Sequence, residues 1–208
     1  MKSKFNLCVI IFIFVASFSS ISAETKNRFS AGVGFGSFNT IIYGSGFTAT
    51  AIIDSELDKL DNKKEESTDE ISAGILFNAS YDRKVLEYLA LGLNYNYEKI
   101  NYIINYDDND SSETDLNIHT IMPRITLIYG FKNLKIYHAF AIGIGIYDNT
   151  LIEKIDSQTI DEHKIVYDPA IHVTIVGLEY HLTEHIYAFM DAGIGFAGFA
   201  NAGVGYMF

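Results

Sequence analysis

The chain has 208 residues, with 15 Lys and Arg against 26 Asp and Glu, a formal net charge of −11, and a single cysteine, Cys8. The acid excess argues against nucleic acid as a partner, and the length is that of one domain. Cys8 lies in the N-terminal apolar run, so the rest of the sequence holds no thiol; a disulfide scaffold, a thiolate zinc site and a thiol nucleophile are thereby excluded.

Lys2 and Lys4 precede an apolar run over residues 7–16 and small residues ending at Ala23. This is the three-part layout of a secretory signal peptide, too short in its apolar part to span a membrane as a helix. Residues 1–23 are therefore expected to be a signal peptide, and residues 24–208 the domain that it exports. Within that domain the acids are grouped: eight fall in residues 54–70, five in 107–115 and five in 148–164. These three stretches are expected to be long loops.

Between them run alternating apolar segments. Residues 29–36 put Phe29, Ala31, Val33 and Phe35 on one face and Ser30, Gly32 and Gly34 on the other, the period-2 signature of a strand. Residues 39–53 are β-prone but ambiguous, an extension of the first strand or a strand of their own. The second strand is expected over 70–81, with Ile75, Phe77, Ala79 and Tyr81 outward and Asn78 and Ser80 inward, followed by a tight connection at Asp82, Arg83 and Lys84. The third, over 87–106, puts Leu89, Leu91, Leu93, Tyr95 and Tyr97 outward and Asn94, Asn96 and Glu98 inward. The fourth, over 116–131, sets Ile121, Ile125, Leu127, Tyr129 and Phe131 against His119, Arg124 and Thr126, with Pro123 at a bulge or a gap in the ladder. The fifth, from Ile136, sets Phe140, Ile142, Ile144 and Ile146 against Tyr137, Ala139, Ala141 and two glycines.

In the sixth, over 165–182, Ile171, Val173 and Ile175 compete with Val176, Leu178 and Tyr180 for the outer face; the second set, taken near the strand end, places Glu179 inward. The seventh runs from Ile186 with Tyr187, Phe189 and Asp191 inward. In the last, over 198–208, Ala200, Ala202, Val204, Tyr206 and Phe208 share a face opposite Asn201, Gly203 and Gly205. Ala192 to Phe208 could also be counted as a short apolar helix, but each interior glycine costs about 0.8–1 kcal/mol there, and a span needs ~20 apolar residues.

The count is eight, and long acidic and short basic connections alternate, apart from the tight final one near Ala197. Aromatic residues Phe29, Tyr81, Tyr129, Phe131, Tyr180, Tyr206 and Phe208 gather at the short-turn end, as a membrane-interface girdle does. The fold expected is all-β, an eight-stranded antiparallel up-and-down transmembrane β-barrel. In layout the sequence resembles the small bacterial outer-membrane β-barrel family, whose members include the transmembrane domain of OmpA, OmpX and OmpW. The resemblance implies residence in the bacterial outer membrane among its lipid and lipopolysaccharide. It also implies recognition by the barrel-assembly machinery through Tyr206 and Phe208.

Chemistry is sparse. Arg124, Glu179 and Asp191 are expected to share the lumen, where charges have to pair because an unpaired buried ion is costly. A salt-bridged plug is the plain reading and a gate the sharper one. Six histidines invite comparison with outer-membrane lipid A-modifying enzymes, but His119 and His172 have only Thr120 and Thr174 beside them, without the Ser that such a site needs. Residues 107–115 could hold calcium or bridge to lipopolysaccharide through divalent ions, but lack the spacing of an EF-hand loop. GIGFAG at 193–198 matches a nucleotide-binding pattern without the helix and acid that the pattern requires. No metal, cofactor or catalytic residue is assigned. The expected role is structural or surface contact through acidic extracellular loops, with an unknown host or surface ligand and a filled lumen. The alternatives are an OmpW-like narrow channel for small hydrophobic molecules and a lipid A-modifying enzyme.

Overall fold

Alternation along the sequence becomes backbone pairing along almost every segment of the computed structural model, which describes residues 27–40, 68–73, 75–105, 111–155 and 158–208. The expected signal peptide and residues 41–67, which hold most of the first acidic stretch, lie outside them. The strands are β1 (Asn27–Phe35), β2 (Thr68–Ala73), β3 (Leu76–Leu86), β4 (Leu89–Asn105), β5 (Ser111–Phe131), β6 (Leu134–Ile155), β7 (Gln158–His181), β8 (Ile186–Gly195) and β9 (Ala200–Met207). β2 and β3 lie end to end on β4, from Thr68↔Asn105 to Leu86↔Leu89, and make one interrupted stave. β4 pairs with β5, and β1 pairs with both β3 and β9, so the sheet has no first or last strand. The result is a closed, antiparallel, up-and-down barrel of eight staves.

Burial is inside out. Phe29, Tyr129, Tyr180, Tyr206, Phe140, Ile142 and Ile144 are exposed on the outer wall, while Ser30, Ser80, Asp82, Asn96, Thr120, Thr126 and Glu179 are buried within it. Such a surface suits acyl chains rather than water, and it is the distribution that a transmembrane barrel requires. The girdle residues Phe29, Tyr81, Tyr129, Tyr180, Tyr206 and Phe208 are exposed at the end that carries the short turns. Among the described residues no helix is long and apolar enough to cross a membrane.

The ambiguous phase of the sixth predicted strand has a specific cause. Register against β6 shifts between Tyr137 and Ala139, and against β8 between Thr174 and Val176; in both ladders the extra residue belongs to β7. A bulge at Ile175 and Val176 therefore reverses the phase. Ile171, Val173 and Ile175 face out above it, and Val176, Leu178 and Tyr180 face out below it.

Three other expectations are corrected. The register of β5 against β4 runs unbroken through Pro123, with a gap of two residues in the ladder to β6. Proline lacks the N–H for a rung, and a gap without an inserted residue leaves phase unchanged. His119 consequently faces outward with Ile121 and Ile125, not inward with Arg124 and Thr126. Second, the stretch 148–164 is mostly a paired hairpin, continuous to Ile155↔Gln158, and β5 already begins at Ser111. Acids of both stretches sit on paired strands: Asp148 meets His163 at 2.6 Å, and Asp115 meets Lys99 at 3.2 Å. Third, β1 ends at Phe35, and residues 38–40 form a helical turn instead of extending the strand.

The staves are of unequal height. β5, β6 and β7 have 21, 22 and 24 residues, whereas β1, β8 and β9 have 9, 10 and 8. Since about 9–11 tilted residues cross the bilayer, the β4–β7 wall continues well beyond the membrane band and the β8–β9–β1 wall stops near it.

Deleting Ile175 takes out the extra residue and leaves β7 in strict alternation, with Thr174, Gly177 and Glu179 still inward and Val173, Val176 and Leu178 outward. The variant is expected to keep the compact, heat-sensitive band that a folded barrel gives on unboiled gels, whereas deleting Ile142 from the unbulged part of β6, which reverses the phase on one side of the deletion, is expected to lose it. Loss of the band on deleting Ile175 would refute the assignment.

Candidate functional site

Side chains from facing staves meet across the lumen in layers. At the short-turn end, β1 delivers Arg28 and β7 delivers Glu179, which form a buried ion pair; the Arg28 guanidinium also lies over the Tyr187 ring, 4.9 Å from its centroid. His181 Nε2 stands 3.7 Å from the other Glu179 oxygen. One layer up, Arg124 of β5 donates through Nε, at 2.8 Å, and through Nη2 to the two oxygens of Asp82 on β3. This two-pronged geometry suits the planar guanidinium. Beside it, Asp191 accepts from the Tyr137 hydroxyl at 2.5 Å and from Asn201 Nδ2 at 2.8 Å, and Asn201 in turn accepts from Asn78 at 3.2 Å.

Glycines make room for these groups. The Tyr137 ring lies where a Cβ on Gly177 would stand, 2.2 Å away, and Tyr187 covers Gly205 in the same way at 2.1 Å. The enclosed void among these residues is about 30 Å³, room for roughly one water. A wide depression opens below it at the short-turn end, floored by Arg28 and Glu179.

The opposite end is closed by backbone. Gly36 adopts φ +63°, a conformation open to glycine at little cost, and turns the chain inward. Ser37, Asn39 and Thr40 then donate to the buried Glu98 carboxylate at 2.6, 3.0 and 2.6 Å. Phe38 packs edge-on against Phe196 and Phe199. Above this turn, Ile100, Leu116, Ile118 and Tyr147 on the inner face of the tall wall form a buried apolar cluster with Val166 and Phe196.

Arg124, Glu179 and Asp191 thus all reach the lumen, but not one another: each has its own partner, in Asp82, in Arg28, and in Tyr137 with Asn201. Asp82 belongs to β3 and is almost wholly buried, not part of a turn. Arg28 and Asp82 carry a signal in their phase, even-numbered with Ser30 and Ser80. The capping of Glu98 carries none, because it depends on the chain reversing at Gly36.

Tyr206 and Phe208 stack on the outer wall with ring centroids 6.1 Å apart, and Tyr206 stacks on His185 at 5.7 Å. His119 accepts or donates at the Tyr95 hydroxyl, 2.8 Å away, and packs on Tyr97. His172 is buried, its Nδ1 receiving the Ala197 N–H at 3.3 Å. Neither histidine has a serine hydroxyl among its hydrogen-bond partners. Residues 107–110 lie outside the described residues, among which no group of three acids, histidines or cysteines is placed to hold a metal ion.

Removing Arg124 alone strands a buried carboxylate. Arg124→Leu is expected to lower stability by about 3–5 kcal/mol, and Arg124→Leu with Asp82→Leu to recover most of that loss. Urea unfolding in detergent micelles reads both; equal losses in the single and double variants would contradict the pairing.

No family model and no curated protein matches the sequence. Among solved structures, the chain is similar to the N-terminal β-barrel domain of OprF from Pseudomonas aeruginosa, at 14% identity and a TM-score of 0.44, over 88% of this chain and 97% of that one. It is also similar to Ail, the attachment invasion locus protein of Yersinia pestis, at 8% identity and a TM-score of 0.47, over 89% and 100%. Ail in complex with the heparin analogue sucrose octasulfate gives 10% identity and a TM-score of 0.46, over 89% and 100%. The chain's own ladder, closed at eight staves with its apolar face turned outward, gives it the architecture of the small bacterial outer-membrane barrels.

Proposed function

We propose that this chain is an integral protein of the bacterial outer membrane that works by contact at the cell surface, with its lumen serving as a rigid core. The observation that carries this reading is the inequality of the two walls. β4 to β7 stay hydrogen-bonded far above the band that lipid would cover, while the interior below them is crossed by two ion pairs and capped by residues 36–40. A barrel whose purpose was passage would have no use for a paired sheet of that height. One whose purpose was presentation needs it stiff.

The filled interior weighs against bulk transport, since eight strands leave only enough width for side chains. A conduit for small hydrophobic molecules would need an apolar lumen, and this one is lined by Arg28, Asp82, Arg124, Glu179 and Asp191. Lipid and lipopolysaccharide are the surroundings, the barrel-assembly machinery acts through Tyr206 of β9 and Phe208 directly after it, and the signal peptide over 1–23 provides export. The acids outside the ring make the exposed sheet polar, which keeps it in water and leaves specific recognition to its edges and tip.

Two measurements test this reading. In planar bilayers the protein is expected to show no porin-sized conductance, and sustained open currents would count against it. Replacing residues 150–162 by a short turn is expected to leave the compact barrel band and envelope permeability unchanged while abolishing attachment of expressing cells to host-cell or matrix-coated surfaces. Undiminished attachment would remove the contact role.

A further inference from the structure

Among the described strands, the tall wall has an uncovered edge. β7 pairs with β6 from Gln158 to Tyr180, but its ladder to β8 begins only at His172. From Gln158 to Ile171, no described strand lies on the other side of β7. Glu162, His163, Lys164, Ile165 and Tyr167 are exposed there. Such an edge offers a row of backbone donors and acceptors that another strand can complete. Pro169, with no N–H to give, limits the row from below, so the usable stretch is residues 158–168.

That stretch is centred on His163 and is self-complementary about it. If two copies pair antiparallel through a two-fold axis at His163, Glu162 of each stands opposite Lys164 of the other, on the same face of the combined sheet. Opposite charges at facing positions favour this register. His163 meets its counterpart at the axis, and each imidazole is already held by its own Asp148 at 2.6 Å.

Symmetry then decides where the second copy sits. An antiparallel pair of identical strands is related by a two-fold axis perpendicular to the sheet, which inverts the direction of the barrel. The partner must therefore be embedded in a facing membrane. Parallel pairing, the alternative for copies side by side, needs an axis along strands that tilt about 35–45° from the membrane normal. It would rotate the second barrel by twice that angle, out of the shared bilayer.

We infer that the edge of β7 over residues 158–168, which no described strand covers, is a homophilic contact that joins two copies of this chain across apposed membranes. The inference rests on the surface-contact reading above, and gives it a partner.

The test uses the full chain in phosphatidylcholine vesicles with the tall wall outward, free of lipopolysaccharide. Wild-type vesicles are expected to cluster, read by light scattering. Glu162→Lys faces lysine with lysine and Lys164→Glu faces glutamate with glutamate, so each alone is expected to slow clustering roughly fivefold or more. Mixing vesicles of the two single variants, labelled with different dyes, is expected to restore clustering as mixed aggregates, and the double swap to restore it within one population. A failure of wild-type vesicles to cluster overturns the inference, as does clustering indifferent to the swaps. If it fails while residues 150–162 are still needed for attachment to host or matrix surfaces, the contact role stands and only the homophilic partner is lost.

Discussion

A β-strand in hydrocarbon has no water to satisfy its backbone, so a sheet there has to end where it began. In this chain that requirement falls on the seam between β1 and β9, where Asn27 and Phe208 exchange both backbone bonds at 2.8 and 3.0 Å and the pairing runs on to Phe35↔Ala200. Once the seam is closed, every described stave has two neighbours within the membrane band, and the outer face is free to be apolar throughout. The interior receives whatever the other phase of each strand carries.

Closure also makes that interior narrow, and narrowness explains its chemistry. Small residues on one stave make space for a large one across from it, as Gly177 does for Tyr137 and Gly205 for Tyr187. Ionised groups enter in matched sets, Arg28 with Glu179 and Arg124 with Asp82. Two carboxylates are exceptions among the described residues: Asp191 is held by Tyr137 and Asn201, and Glu98 by hydroxyl and amide donors from the turn after β1. The result joins the wall to its lid, so the upper end is fixed by the same carboxylate that lines it.

The fold was legible because two faces that meet different solvents impose a strict period on every stave. Phe140 to Ile146 and Ala200 to Phe208 could be assigned to a face from the letters alone. The period fails wherever one residue is added without a marker, and Ile175 and Val176 are both β-branched, so nothing announces the bulge between them. Pro123 misled in the other direction: a proline suggests an irregularity, but here it only omits a rung. Composition misleads at the acidic stretches, because a run of charge reads as loop where Asp148, Asp115 and their neighbours are strand residues. Of the lumen, the inward phase of Arg124, Glu179 and Asp191 could be read from the sequence, but not the partners of each. Partner choice depends on the stagger between staves, which no single strand encodes.

The low side of the barrel has a consequence for the order in which it forms. Each pair within the high wall joins strands adjacent in sequence, so β4 with β5, β5 with β6 and β6 with β7 can zip as successive hairpins at little entropic expense. β1 and β9, by contrast, come from opposite ends of the described chain, and their union is the most distant event in the molecule. It is also among the shortest ladders and is rich in glycine, so it contributes little until the rest is in place. The last step of construction is then the weakest, and a nearly complete cylinder with an unsealed slit is the intermediate that this sequence is built to leave open longest.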